Sequence, residues 1–305
     1  MSAVPGVDIR EVGPRDGLQI EEPLSTEAKL EFVDALVATG VRRIEVTSFV
    51  SPRAVPALAD AEAVAAELKR WPGVEFSALV AGMGGVRRAL ASGVTRLEYV
   101  VSASEGHSQA NVGRSSEDSL ALIAPIADLV HEAGGHLEVI VAIAFDCPFD
   151  GPTPPERVAE ITRRALESGA DALAVADTIG TATPVRVTDV LGRVMAAAPG
   201  VDVGLHLHDT RGQGLANAWA AYMLGVRQFD SSVGGLGGCP FAPGASGNIA
   251  TEELVYMFED GGIPTGIDVA RVLDAARLVS GHLGKTLPSG LLAAGGPPVP
   301  VPRPS

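Results

Sequence analysis

Cysteine is almost missing from this chain. Its 305 residues hold two, Cys147 and Cys239, and each precedes a proline. Two isolated thiols build no disulfide framework, so a cytoplasmic protein is expected. Aromatic residues are also scarce, at 4%, so the 46% hydrophobic content is mostly aliphatic. Together with 36 glycines, this suits helices packed closely on strands. No apolar run reaches the roughly 18 residues of a membrane span, and no membrane partner is expected. The opening MSAVPGVDIREV lacks a basic region followed by an apolar one, so no signal peptide is expected. Positive charge is short: Lys and Arg total 23 against 37 Asp and Glu, a formal net charge of −14. Nucleic acid needs a basic surface and is not an expected partner. A small anionic substrate stays compatible, because a few local arginines outweigh the global charge.

What the chain does have is a rhythm. Short β-branched runs are predicted as strands at 7–12, 42–47, 74–80, 95–101, 136–144, 171–177, 201–208 and 227–233. Helical patterns lie between them. Several open on Ser, Thr or Pro and several close on Gly, the usual start and stop residues. This alternation points to the α/β class and to a (β/α)8 TIM barrel. A doubly wound open sheet shares the local pattern, since pattern alone does not show closure. After the eighth strand, TEELVYMFEDGG and VARVLDAARLVSGHL read as extra C-terminal helices. Residues 1–291 are expected to form one catalytic domain, and 292–305, ending GGPPVPVPRPS, a disordered tail.

Residues 203–219, VGLHLHDTRGQGLANAW, carry the strongest chemical signal. Alternate side chains of a strand point to opposite faces. Leu205 and Leu207 therefore face one way, and His206 and His208 the other. Two adjacent imidazoles at a strand end suit a divalent metal. In a TIM barrel the site lies at the C-terminal strand ends, where other misplaced polar residues gather. Strand one ends in Arg15 and Asp16, strand two carries Glu45, and strand six ends in Asp177. Strand eight leads into a loop with Cys239 and Asn248. A carboxylate, two imidazoles and an amide oxygen converging on one ion would suit Mg²⁺, Mn²⁺, Co²⁺ or Zn²⁺ as a Lewis acid. The alternative is a set of unrelated turn and capping residues, Asp16-Gly17 being an ordinary turn pair. The glycines at 234, 235, 237 and 238 lack both the Lys-Ser/Thr of a triphosphate loop and the dinucleotide spacing. A mobile lid carrying Cys239 is the better reading of that loop, with a buried inert thiol as its rival.

These motifs carry a resemblance. EVGPRDGLQ, EVTSFVSP, DTIG, HLHDTRGQGLAN and GGLGGCPFAPGASGNIATEELVYM occur in order. Together they resemble the 3-hydroxy-3-methylglutaryl-CoA lyase family, a branch of the metal-dependent TIM-barrel lyases and Claisen-condensing enzymes. The likeness runs from about Asp8 to Leu287. It implies metal-dependent cleavage of 3-hydroxy-3-methylglutaryl-CoA to acetyl-CoA and acetoacetate, in leucine degradation by default. It implies Asp16, His206, His208 and Asn248 on the metal, with Mg²⁺ or Mn²⁺ favoured by hard ligands. Arg15 would stabilise the charge growing on the thioester oxygen. Glu45 would hold the Arg15–Asp16 pair, Asp177 and His206 would handle the hydroxyl proton, and Cys239 would protonate or shield the enolate carbon. An acyl-CoA is the implied partner, and the apolar extra helices make a homodimer the expected assembly.

Four positions depart from the family pattern: Gly82, Asp146, Arg211 and Gly290. Arg211 and Asp146 are expected to pair with each other, to reshape the acyl pocket, or to add a cation for a second carboxylate. A different 3-hydroxy-3-alkylglutaryl-CoA or a citramalyl-CoA would use the same chemistry. A condensing enzyme of the same group and a silent scaffold are the rival classes.

Overall fold

The computed structural model describes residues 5–238 and 247–298. Eight parallel strands close into a barrel: β1 (Asp8–Glu11), β2 (Arg43–Ser48), β3 (Glu75–Val80), β4 (Arg96–Ser102), β5 (His136–Ala142), β6 (Ala172–Asp177), β7 (Val203–Leu207) and β8 (Gln228–Ser231). Each strand pairs with its sequence neighbours, and β8 closes on β1 through Asp8–Gln228 and Arg10–Asp230. Closure removes the open-sheet alternative. All eight predicted strands are present, with ends shifted by at most two residues. β5 stops at Ala142 because Ile143 turns to a φ of 59°. A β-branched residue rarely adopts that left-handed conformation. Thr178 and Thr153 hold it there: Ile143 N–H donates to Thr178 Oγ1 at 2.9 Å, and Thr153 Oγ1 donates to Ile143 O at 2.7 Å.

The period-2 pattern assigns each face. Leu97, Tyr99 and Val101 on β4, Leu137, Val139 and Val141 on β5, and Leu205 and Leu207 on β7 face outward into the main core beneath the helices. Burying each such side chain is worth about 1.5–3 kcal/mol. The alternate residues face inward. Val100, Ile140, Ala174 and Ala176 form a small separate apolar cluster inside the barrel. Arg10, Glu98, Glu138 and Asp230 are buried charges.

The helices lie outside, at Thr26–Ala38, Met83–Ala91, Ile123–Glu132, Pro155–Glu167, Pro184–Ala197 and Gly214–Leu224 among others. Ser25 caps the first by accepting from Ala28 N–H at 3.2 Å, an N-terminal bond of the usual kind. Both extra C-terminal helices are present, at Thr251–Asp260 and Val269–Leu283. The second packs on Thr26–Ala38, and Arg271 donates to Ala38 O at 2.8 Å. A further short helix, Gly290–Ala293, enters the segment expected as a tail. No helix among the described residues is long and apolar enough to cross a membrane.

Candidate active site

The chain after β1 makes one π-helical turn, Gly13–Gly17, in which Leu18 N–H donates to Gly13 O at 2.9 Å. Single π turns recur at functional sites because they re-aim side chains. Here both Arg15 and Asp16 are buried and line one cavity of about 310 Å³ at the C-terminal mouth. His206 and His208, also buried, enter the same cavity from β7 and the residue after it. Their rings lie 5.2 Å apart. Asp16, His206 and His208 offer ligand atoms all within 4.8 Å of one another. Val100, Ile140, Ala142 and Ala176 supply an apolar wall of the same cavity, Ala176 beside His206.

Asn248 completes this group. Its amide donates to Asp16 Oδ2 at 2.8 Å and to Leu236 O at 3.0 Å. That fixes the amide and leaves Asn248 Oδ1 buried without a partner, as is His208 Nδ1. An unpaired buried polar atom costs about 1–3 kcal/mol, so two beside one carboxylate mark a group able to bind a ligand. Oxygen and imidazole nitrogen donors together fit a divalent cation. Gly237 makes room for the arrangement. Its φ is +121°, and a Cβ there would lie 2.6 Å from Asn248 Nδ2.

Electrostatics hold the ligand set ready. Burial pushes the Asp16 carboxyl up, but Arg15 and the two imidazoles outweigh it and hold Asp16 well below the usual range. Arg15 donates to Asp16 Oδ1 at 2.5 Å and to Glu45 Oε1 at 2.6 Å. It thus stays charged despite burial, because Glu45 and Asp16 overcome the desolvation. His206 Nδ1 lies 3.1 Å from Asp230 Oδ2. A carboxylate there accepts a hydrogen bond from Nδ1–H and leaves Nε2 for a ligand. Asp230 is gripped in turn by Arg10, at 2.8 Å and 2.9 Å.

Asp177 is more committed than expected. Its two oxygens accept from Thr181 N–H at 2.9 Å and Ala182 N–H at 3.0 Å, ordering the turn after β6. Burial raises its pKa against those bonds. Cys239 lies outside the described residues. The expected Arg211–Asp146 pair does not form. Asp146 pairs with Arg186 at 2.7 Å, and Arg211 donates to the carbonyls of Ile179 and Gly180, both at 2.9 Å. Arg211 uses Nη1 on these carbonyls, acts on Asp146 only through its charge, and is not among the residues lining the cavity. Gly82 has a different consequence: a Cβ there would touch the Arg114 guanidinium at 3.4 Å. Arg114 fills that space and lines the cavity.

Sequence reasoning missed Arg10, Glu98, Glu138 and Asp230, the buried charges beneath the cavity. A charge in mid-strand between apolar residues, as for Glu98 in RLEYVV and Glu138 in HLEVIV, was the available signal.

A parallel barrel with ligand-capable carboxylate, imidazole and amide groups at its C-terminal mouth defines an enzyme-type TIM barrel. The HMGL-like family model matches residues 6–279, and the chain belongs to that family. Hydroxymethylglutaryl-CoA lyase YngG of Bacillus subtilis is 41% identical over 284 residues, spanning 93% of this chain and 95% of that protein. The (R)-citramalyl-CoA lyase of Chloroflexus aurantiacus is 41% identical over 305 residues, spanning 96% of each. Among solved structures, an HMG-CoA lyase from Acinetobacter baumannii in complex with coenzyme A and 3-methylmalate superposes with a TM-score of 0.92 at 39% identity, covering 98% of both chains.

Proposed function

We propose that this protein is a metal-dependent carbon–carbon lyase that cleaves 3-hydroxy-3-methylglutaryl-CoA to acetyl-CoA and acetoacetate. The observation that carries the reading is the Asp16–His206–His208 cluster, with Arg15 beside it, in one barrel mouth. These three residues and Asn248 Oδ1 would hold a divalent cation, Mg²⁺ or Mn²⁺, which would supply Lewis acidity toward the substrate. The chain's own groups do the rest. His206 has Nδ1 committed to Asp230, so its one remaining nitrogen is assigned to ligation. Asp177, with a raised pKa, stands behind the cavity lining with both oxygens on the amides of Thr181 and Ala182, so it is assigned to take the C3 hydroxyl proton through water in the cavity rather than by direct contact. As that proton leaves, the C3–O bond becomes a carbonyl, the C2–C3 bond breaks, and its electron pair moves into the thioester enolate. Arg15 stabilises the charge on the thioester oxygen. Protonation at C2, assigned to Cys239, completes acetyl-CoA.

The apolar wall of Val100, Ile140, Ala142 and Ala176 suits a C3 methyl or larger alkyl group. A second reading, citramalyl-CoA cleavage, rests on the equal identity to the lyases for the two substrates. Comparing kcat/KM for the two acyl-CoA thioesters decides between them. We expect 3-hydroxy-3-methylglutaryl-CoA to lead by at least about tenfold, or about 1.4 kcal/mol; a reversed ratio selects the second reading. We place the enzyme in the cytoplasm, in leucine degradation, as a homodimer. Trp219 and Met223, one turn apart and 41% and 69% exposed, support an assembly surface.

A further inference from the structure

Beneath the cavity the buried charges form one connected belt. Arg15 donates to Glu45 Oε1 at 2.6 Å. Glu98 Oε1 accepts from Arg10 at 2.6 Å and from Ser77. Arg10 also pairs with Glu138 and grips Asp230, which holds His206. One link remains, between Glu45 and Glu98. Glu45 Oε2 and Glu98 Oε2 are both buried, and neither meets an N–H or O–H donor. Glu45 pairs in register with Ser77, which donates to Glu98, so the two carboxyl groups are neighbours on the inner wall, each with one unpartnered buried oxygen. Neighbouring buried carboxylates repel unless one of them carries a proton, and each here shifts the ionisation of the other.

We propose that Glu98 is a positioning residue for Arg15, acting through a proton that it shares with Glu45. The Glu98 charge, anchored by Arg10, keeps the proton on Glu45. A neutral Glu45 still accepts from Arg15 Nε and fixes the guanidinium, but it does not cancel its charge. The full positive charge of Arg15 is then available to an oxyanion in the cavity. Without the Glu98 charge, Glu45 ionises and competes with that oxyanion. The groups around the pair agree with this direction. Glu45 faces Arg15, Arg10 and Glu98, and burial pushes it well above the usual carboxyl range. Glu98 faces Arg10, Asp230, Glu138, Ser77 and Glu45, and is held below that range despite burial, chiefly by Arg10.

The kinetic part rests on the lyase reading; the shared proton does not. Infrared difference spectra at neutral pH test the proton directly. The wild-type protein should show a protonated-carboxyl carbonyl band that is lost in both Glu98→Gln and Glu45→Gln. Persistence of every such band in both variants overturns the proposal. If Glu98→Gln fails to fold, Glu45→Gln carries this test, since its amide donates to Glu98 in place of the shared proton. Folded Glu98→Gln should lose kcat by about tenfold or more, with KM for the acyl-CoA within about twofold. An unchanged kcat with the band lost shows that the pair does not act on Arg15 and overturns the positioning role. A wild-type protein that binds metal but turns over no acyl-CoA refutes the lyase reading instead, and the infrared result still judges the pair.

Discussion

Asp230 shows how one residue sets another's chemistry. An imidazole has two nitrogens, and only the hydrogen bond at one decides which is left to ligate. Asp230 takes His206 Nδ1 at 3.1 Å while Arg10 fixes both of its oxygens. Asp230→Ala should weaken Mn²⁺ binding by about 10–100-fold, measured by electron paramagnetic resonance titration. Asp230→Asn, which keeps an acceptor, should weaken it less. Equal affinity in all three proteins removes Asp230 from the account. At this scale the sequence was legible where spacing itself carries the chemistry. His206 and His208 alternate with Leu205 and Leu207 and needed no partner to be recognised. The significance of Arg10, Glu98 and Asp230 arises only when β1, β4 and β8 meet around a closed barrel, and no local pattern encodes that meeting.

At the scale of elements, the site depends on how the turn after β1 is tied to the segment after β8. Glu11 makes the tie. It accepts from Gly13 N–H at 2.7 Å, Val233 N–H at 3.0 Å and Thr251 Oγ1 at 2.6 Å. Burial, opposed by these bonds, pushes its pKa up to about 7. A carboxyl whose pKa is raised on folding binds more protons folded than unfolded. Its contribution is therefore fully present below the ordinary carboxyl pKa and is lost as pH rises through about 7. The full amplitude is about 3 kcal/mol. Thermal melts between about pH 5 and 8 should show stability falling with pH, and Glu11→Gln should give a lower but flatter curve. An unchanged slope in the variant removes Glu11 as its source. Element positions were legible because the period-2 and helical patterns are strong. The end of β5 was not, because Ile143 leaves the strand through hydrogen bonds to Thr178 and Thr153, from other segments.

Across the whole molecule, the barrel interior is short of positive charge. Among the described residues, Asp16, Glu45, Glu98, Glu138 and Asp230 share their ion pairs with two guanidinium groups, Arg10 and Arg15, and Arg43 acts on Glu138 and Asp230 from further off. Low-dielectric surroundings make such an excess costly, and a bound divalent cation offsets it. Mn²⁺ at a hundred times its Kd should add about 2.7 kcal/mol of stability, a Tm rise of about 4 °C for a chain of this size. Asp16→Asn should abolish most of that rise; a full rise in the variant places the ion elsewhere.

The central claim is that the cation and Arg15 act together on an acyl-CoA. Its most direct test is acetyl-CoA release from 3-hydroxy-3-methylglutaryl-CoA by protein stripped with EDTA, then resupplied with Mg²⁺ or Mn²⁺, alongside Arg15→Met. Turnover should vanish on stripping and return with metal. It should fall by at least about 100-fold in Arg15→Met while Mn²⁺ binding persists. Full activity in the stripped protein, or in Arg15→Met, would contradict the account.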